Sequence, residues 1–163
     1  MMEMPLMPAS SVTPQNTAEH SLRQHWIGVL SRAELALLEA GMAGLAPREF
    51  EWLRKPETGL MMVRARAGGT GARFNFGEMT VTRCALRLAD GAAGVAYVQG
   101  RSKRRAELAA LADALLQTKT AADAVRNAVL LPAERALADE AAHMQRRAQA
   151  TRVEFFTVAR EAG

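Results

Sequence analysis

Hydrophobic positions recur at different periods along this chain of 163 residues, and the changes of period divide it. From Glu19 to about Ala40, Leu22, Trp26, Val29, Leu30, Ala33 and Leu37 fall three or four apart. That spacing stacks them on one face and predicts a helix. Gly41 and Gly44 are expected to stop it. Pro47 suits the first turn of a short helix over Arg48–Leu53, closed before Pro56.

The period then drops to two. In Leu60–Arg66, Met61, Val63 and Ala65 alternate with Leu60, Met62, Arg64 and Arg66, which predicts a strand. Glu78–Leu88 also alternates. One face reads Glu78, Thr80, Thr82, Cys84, Leu86, Leu88 and the other Met79, Val81, Arg83, Ala85, Arg87. Each face changes polarity partway, as expected of a strand with one end in a core and the other at a site or subunit interface. Asp90-Gly91 signals a turn, and Gly94–Arg101 returns as a partner strand.

Helical spacing resumes in the last third. Ser102 can cap a helix running to about Gln117 through Leu108, Leu111, Leu115 and Leu116. Ala121–Leu130 reads as a second helix, and Pro132 opens a third. Along the third, Leu137, Ala141, Met144, Ala148, Thr151, Phe155 and Val158 alternate steps of four and three. This is a seam that a partner helix or the chain's own core could fill. Thr151–Val158 is rich in β-branched and aromatic residues, so a terminal strand is the alternative there. Met1–Thr17 holds three of the six prolines and no sustained periodicity, and is expected to be a disordered tail. Residues 18–163 then form a single α+β domain, a small antiparallel sheet flanked by N-terminal and C-terminal helices.

Composition removes several classes. With 49% apolar and 23% charged residues, the chain can bury a core. A lone cysteine, Cys84, can form neither an internal disulfide nor a Cys-rich zinc site, and suits a reducing compartment. No apolar run approaches the roughly 20 residues of a membrane helix. Met1–Thr17 also lacks the basic start and long apolar stretch of a signal peptide. The expectation is a soluble, cytoplasmic protein with no membrane partner.

Charge is unevenly placed. The net charge is only +4, yet Arg64–Arg105 carries nine basic residues against Glu78 and Asp90 alone, a local +7 that leaves −3 for the rest. The segment joining the first two predicted strands contains Gly68, Gly69, Thr70 and Gly71, followed by Arg73. Its glycines permit positive φ and close approach of backbone N–H groups, while Thr70 adds a hydroxyl and Arg73 a fork of donors. That inventory suits phosphate or carboxylate, although a plain turn is the alternative. It is not a P-loop, because no Gly-Lys-Ser/Thr ends it. Arg101-Ser-Lys-Arg-Arg105 stands where a helix begins and could hold an anion, or form a solvated surface, or meet an acidic partner.

Catalytic constellations are sparse. His20, His25 and His143 offer no ligand-like pair, since His20 and His25 are five apart and off one helix face, so no metal is expected. Cys84 reads as a small buried hydrophobe. Glu78 is the best acid–base candidate, with a salt bridge to Arg83 or Arg73 as the alternative. Nucleic-acid binding, suggested by a pI near 10.0, is opposed by aromatic poverty. Only Phe74, Phe76 and Tyr97 lie in the basic window, without an RNA-binding run.

Six segments occur in order: His25-Trp26 with Val29-Leu30, Pro56–Leu60, Gly68–Gly71, Phe74–Cys84, Val98–Arg101 and Arg152–Thr157. Together they closely resemble the PhnG family, the G subunit of the bacterial carbon–phosphorus lyase system, from about Arg23 to the C-terminus. The resemblance implies a cytoplasmic role in phosphonate catabolism. It implies action with the H, I and L proteins to form α-D-ribose 1-methylphosphonate 5-triphosphate from ATP and methylphosphonate, releasing adenine. It further implies a core complex of the G, H, I and J subunits. The nucleosidase chemistry is then credited to the I subunit and the iron–sulfur cluster to the J subunit. This chain is left as an accessory partner with no cofactor and no catalytic residue of its own. The residues expected to contact substrate or another subunit are Gly68, Gly69, Thr70, Gly71, Arg73, Glu78, Thr80, Thr82, Arg83 and Arg101. A purely structural subunit without ligand contact is the alternative.

Overall fold

A computed structural model describes residues 14–46, 49–66 and 70–150. The order is α1 (Pro14–Leu30), α2 (Leu35–Met42), β1 (Phe50–Arg66), β2 (Arg73–Leu88), β3 (Ala93–Gln99), α3 (Lys103–Leu116), α4 (Ala122–Val125) and α5 (Leu131–Ala150). One antiparallel sheet of order β1-β2-β3 packs against α3, with the other helices around that helix. The chain is therefore α+β, with a small antiparallel sheet flanked by helices.

The expected helix over Glu19–Ala40 is two helices. The Gly28 carbonyl accepts from Ser31 Oγ at 2.9 Å and Arg32 Nε at 3.0 Å, while the Arg32 N–H turns to the Val29 carbonyl at 3.1 Å. Side chains thus take the acceptor that the helix ladder would use, and α1 ends. The new direction buries Leu38 and Met42 of α2. α1 itself starts at Pro14, inside the span read as a tail, since proline tolerates the first helical turn. Residues 1–13 lie outside the described residues. Gly44, at φ +78°, ends the α2 region. Gly41 lies within α2, where a Cβ would run into the Ala128 carbonyl and Val129.

The expected short helix over Arg48–Leu53 is also corrected: Phe50–Leu53 opens the long strand β1. Phe50 pairs with Leu88 and Trp52 with Leu86, and the two rings meet edge to face at 5.0 Å. Pairing and aromatic packing outweigh a local helix signal. The strand continues through Pro56, which sits where the register shifts between Arg54 and Glu57. β1 is an edge strand, so a bulge there absorbs the missing N–H.

α3 is the axis of the core. Ala106 and every residue of Leu108–Leu116 are buried, so this helix is enclosed on all sides. Its alanines let β3 approach closely: a Cβ on Gly94 would collide with the Ala110 carbonyl and Ala114. Ser102 caps α3 as expected, accepting from the Arg105 N–H at 3.2 Å.

The break expected between Leu130 and Pro132 is absent. α4 passes through a π-turn at Arg126–Leu130 directly into α5. Pro132 has no N–H for the Ala128 carbonyl four residues back, and the wider turn accommodates that gap. On α5, Leu137 packs against the core whereas Ala141, Met144 and Ala148 are exposed. The rest of that seam, and the helix-or-strand question over Thr151–Val158, lies outside the described residues.

Candidate functional site

β3 pairs with β2 only from Val81 to Arg87. Beyond Val81, Gly59–Arg66 of β1 and Arg73–Thr80 of β2 continue as two strands with no third neighbour among the described residues. At about 3.3 Å per residue this arm reaches roughly 26 Å. Nothing from Arg73 to Glu78 is buried, whereas Val81, Thr82, Cys84, Leu86 and Leu88 enter the core. The polarity switch read in Glu78–Leu88 thus marks where the strand leaves the body.

Register assigns the arm's faces. Met61 opposes Met79 and Ala65 opposes Phe74 on one side, with Val63 between them. Leu60 opposes Thr80, Met62 opposes Glu78 and Arg66 opposes Arg73 on the other. A register shift after Val63 leaves Phe76 without a partner, and its ring stands 6.3 Å from that of Phe74.

Eight of the ten residues singled out from sequence are described, and they fall along this arm and its base. Gly68 and Gly69 lie outside the described residues, while Thr70 and Gly71 follow them in the β1–β2 connection, before Arg73. Arg73 and Arg83 are ten residues apart in one strand, roughly 30 Å, too far to hold one small ligand. Thr82 and Arg83 point to opposite faces of the sheet. Thr82 is fully buried and donates from Oγ1 to the Gly100 carbonyl at 2.7 Å. Its single hydrogen is thereby used, so Thr58 Oγ1 donates to it at 3.1 Å. The Gly100 N–H donates to the Thr80 carbonyl at 2.9 Å, and Gly100 takes φ +91°. Thr80 and Thr82 therefore fasten the turn that carries exposed Arg101 to the base of the arm.

Arg83 does not pair with Glu78. Its Nε donates to Glu57 Oε1 at 2.7 Å, and Arg54 Nη1 approaches the same oxygen at 3.4 Å. The hydrogen bond and charge of Glu57 raise the Arg83 guanidinium above its ordinary range. Among the described residues Glu78 has no ion pair.

The basic run at the start of α3 is largely engaged within the protein. Arg105 Nη2 donates to the Gln99 carbonyl at 2.8 Å and the Ser31 carbonyl at 3.4 Å, tying α3 to the α1–α2 turn. Arg104 pairs with Glu107 at 2.8 Å. Cys84 is buried, and desolvation, helped by Glu107, pushes its thiol up to about 12, so it remains protonated and inert at neutral pH. Among the described residues no group of three His, Cys, Asp or Glu could hold a metal ion, and no helix is long and apolar enough to cross a membrane.

One polar cluster escaped sequence reasoning. Asp113 is fully buried in α3 and accepts four hydrogen bonds: Arg23 Nε at 3.2 Å, Arg23 Nη2 at 2.9 Å, Trp26 Nε1 at 2.8 Å and the Val95 N–H at 2.9 Å. Arg23 Nη2 and Gln117 Nε2 also reach the Ala93 carbonyl, each at 2.9 Å. The cluster locks α1, α3 and β3 together. A cleft of about 460 Å³ lies beside it, lined by Glu19, His20, Arg23, Trp26, Leu116 and Gln117. The available signal was a single carboxylate inside the Ala/Leu run Leu108–Leu116 of α3.

Fold and site define a small α+β protein that buries a compensated carboxylate, Asp113, and presents a basic, apolar two-stranded arm. Residues 21–161 match the family described as phosphonate metabolism protein PhnG, and the chain belongs to that family. Over 142 residues it is 40% identical to the alpha-D-ribose 1-methylphosphonate 5-triphosphate synthase subunit PhnG of Rhizobium meliloti (strain 1021), covering 85% of this chain and 88% of that one.

Proposed function

We propose that this chain is an accessory subunit of a carbon–phosphorus lyase core complex in cytoplasmic phosphonate catabolism. It acts with the I, H and L proteins to form α-D-ribose 1-methylphosphonate 5-triphosphate from ATP and methylphosphonate, with release of adenine. Its assembly partners are the I, H and J subunits. The observation that carries this reading is the family match over residues 21–161, together with a relative that is itself named as a synthase subunit. ATP brings about four negative charges, which suits the +7 of Arg64–Arg105. The residues from Gly68 to Arg83, with Arg101, border the triphosphate or meet a neighbouring subunit.

A purely structural role is the second reading, favoured by two geometric observations. The candidate residues are strung along roughly 30 Å of strand rather than gathered in a pocket, and Arg83 already has Glu57 as its counter-ion. Reconstitution tests the subunit assignment, and substitution separates the two readings. Omitting this chain from the assembled synthase is expected to stop adenine release from ATP and methylphosphonate, and unchanged release would sink the subunit assignment. Arg73→Ala and Arg83→Ala are expected to abolish growth on methylphosphonate as sole phosphorus source. Full activity of both variants would leave the structural role alone.

A further inference from the structure

Among the described residues the arm makes little use of this chain's own core, since no residue of Leu60–Arg66 or Arg73–Thr80 is buried. Ten large hydrophobic side chains are exposed among the described residues, and five of them belong to the arm: Leu60, Met61, Met62, Phe74 and Phe76. Phe76 is 73% exposed and Leu60 67%. An isolated two-stranded hairpin is marginal in water, and apolar patches of this kind mark contact surfaces. Among the described residues both of the arm's edges are open, because the pairing of β3 with β2 ends at Val81 and β1 is the last strand of the sheet.

The charge says what kind of surface covers it. Register sets Arg66 opposite Arg73, with Arg64 close behind, and like charges facing across a ladder repel. Among the described residues no carboxylate pairs with any of these three. Glu78, the arm's own acid, sits further back opposite Met62. A second copy packed arm to arm would double the repulsion. Nucleic acid would answer the charge but offer Leu60, Met61 and Met62 no apolar seat.

We infer that the arm docks in an apolar groove on a different protein chain, whose far end carries carboxylates facing Arg64, Arg66 and Arg73. This rests on the assembly reading above and adds which element makes the contact and the chemistry of its seat. Strand addition at an open edge supplies backbone hydrogen bonds. The apolar side chains supply the buried area, and the arginines set the direction of entry.

Amide hydrogen exchange on the full-length chain, alone and co-purified with the other synthase subunits, tests this. Exchange over Gly59–Arg66 and Arg73–Thr80 should slow by roughly tenfold or more in the assembly. Met61→Asp, and Arg66→Glu with Arg73→Glu, should each cut the co-purified subunits roughly tenfold while the thermal midpoint of the isolated chain holds. Arg66→Lys with Arg73→Lys should retain them. A chain that co-purifies while its arm exchanges as fast as in isolation overturns the inference and leaves the assembly reading standing. A chain that does not co-purify overturns both. Arm protection that appears in the isolated chain with rising concentration, or on adding an oligonucleotide, also overturns it, in favour of a second copy or a nucleic acid.

Discussion

Asp113 offers the most direct test of how this fold is held together. Replacing it by Ala strands an arginine, an indole N–H and a backbone N–H that now converge on one carboxylate. Breaking a buried ion pair by removing one member costs about 3–5 kcal/mol. The Arg23 side chain is 32% exposed, against 0% for Asp113, so water recovers part of its solvation. That places the expected loss at the lower end, about 3 kcal/mol. For a domain of this size such a loss lowers Tm by about 10 °C. Asp113→Asn keeps the shape and one acceptor and should lose about half as much. Thermal and urea denaturation of both variants supply the measurement, completed by a double-mutant cycle with Arg23→Met. The cycle should return a coupling of about 2 kcal/mol, because the two side chains share two hydrogen bonds. Additivity of Asp113→Ala and Arg23→Met, or a fall in Tm under about 3 °C, would refute the assignment of this cluster as the clamp between α1, α3 and β3.

Three further outcomes follow from the packing. Gly94→Ala drives a Cβ into the Ala110 backbone, and should cost about 2–3 kcal/mol by urea denaturation; an unchanged midpoint would mean that α3 and β3 are not in close contact. Thr82→Val removes the donor to the Gly100 carbonyl and orphans Thr58; a loss of about 1–2 kcal/mol is expected, with faster exchange of the Gly100 amide, and unaltered exchange would argue against Thr82 as the fastener of that turn. Cys84 has its pKa raised by burial to about 12, so its contribution is fully present below the ordinary thiol range and is lost as pH rises toward 12. Cys84→Ala should therefore flatten the decline in stability above about pH 9, and a thiol reagent should label the native protein slowly and the urea-unfolded protein at once.

Local patterning carried much of the fold. Alternation in Leu60–Arg66 and Glu78–Leu88, the Asp90-Gly91 turn and the Ser102 cap each reappear, because each depends on neighbours within a few residues. The same holds for the polarity switch along β2, which the sequence displays directly and which marks where the body ends and the arm begins. The family too was legible, from ordered motifs rather than from any single one.

What failed locally was decided by contacts distant in sequence. Phe50–Leu53 has a reasonable helix signal, yet Leu86 and Leu88 recruit it as strand. The α1–α2 break is made locally, by Ser31 and Arg32 capturing the Gly28 carbonyl, but it places Leu38 and Met42 against a core built from distant residues that periodicity alone does not locate. Pro132 punctuates the sequence but not the helix, since a π-turn absorbs it while the Ala128 carbonyl meets Gly41. The candidate site shows the division most clearly. By sequence, Gly68 through Arg101 formed one chemical inventory. In three dimensions a strand separates its members by its rise per residue and its alternation of faces, which sends Thr82 inward, Arg83 outward to Glu57 and Arg73 to the far end of the arm. Residue types and local periods therefore determined which side chains this protein has to offer. Strand register and helix packing decided which of them its own core satisfies and which stand free to meet another molecule.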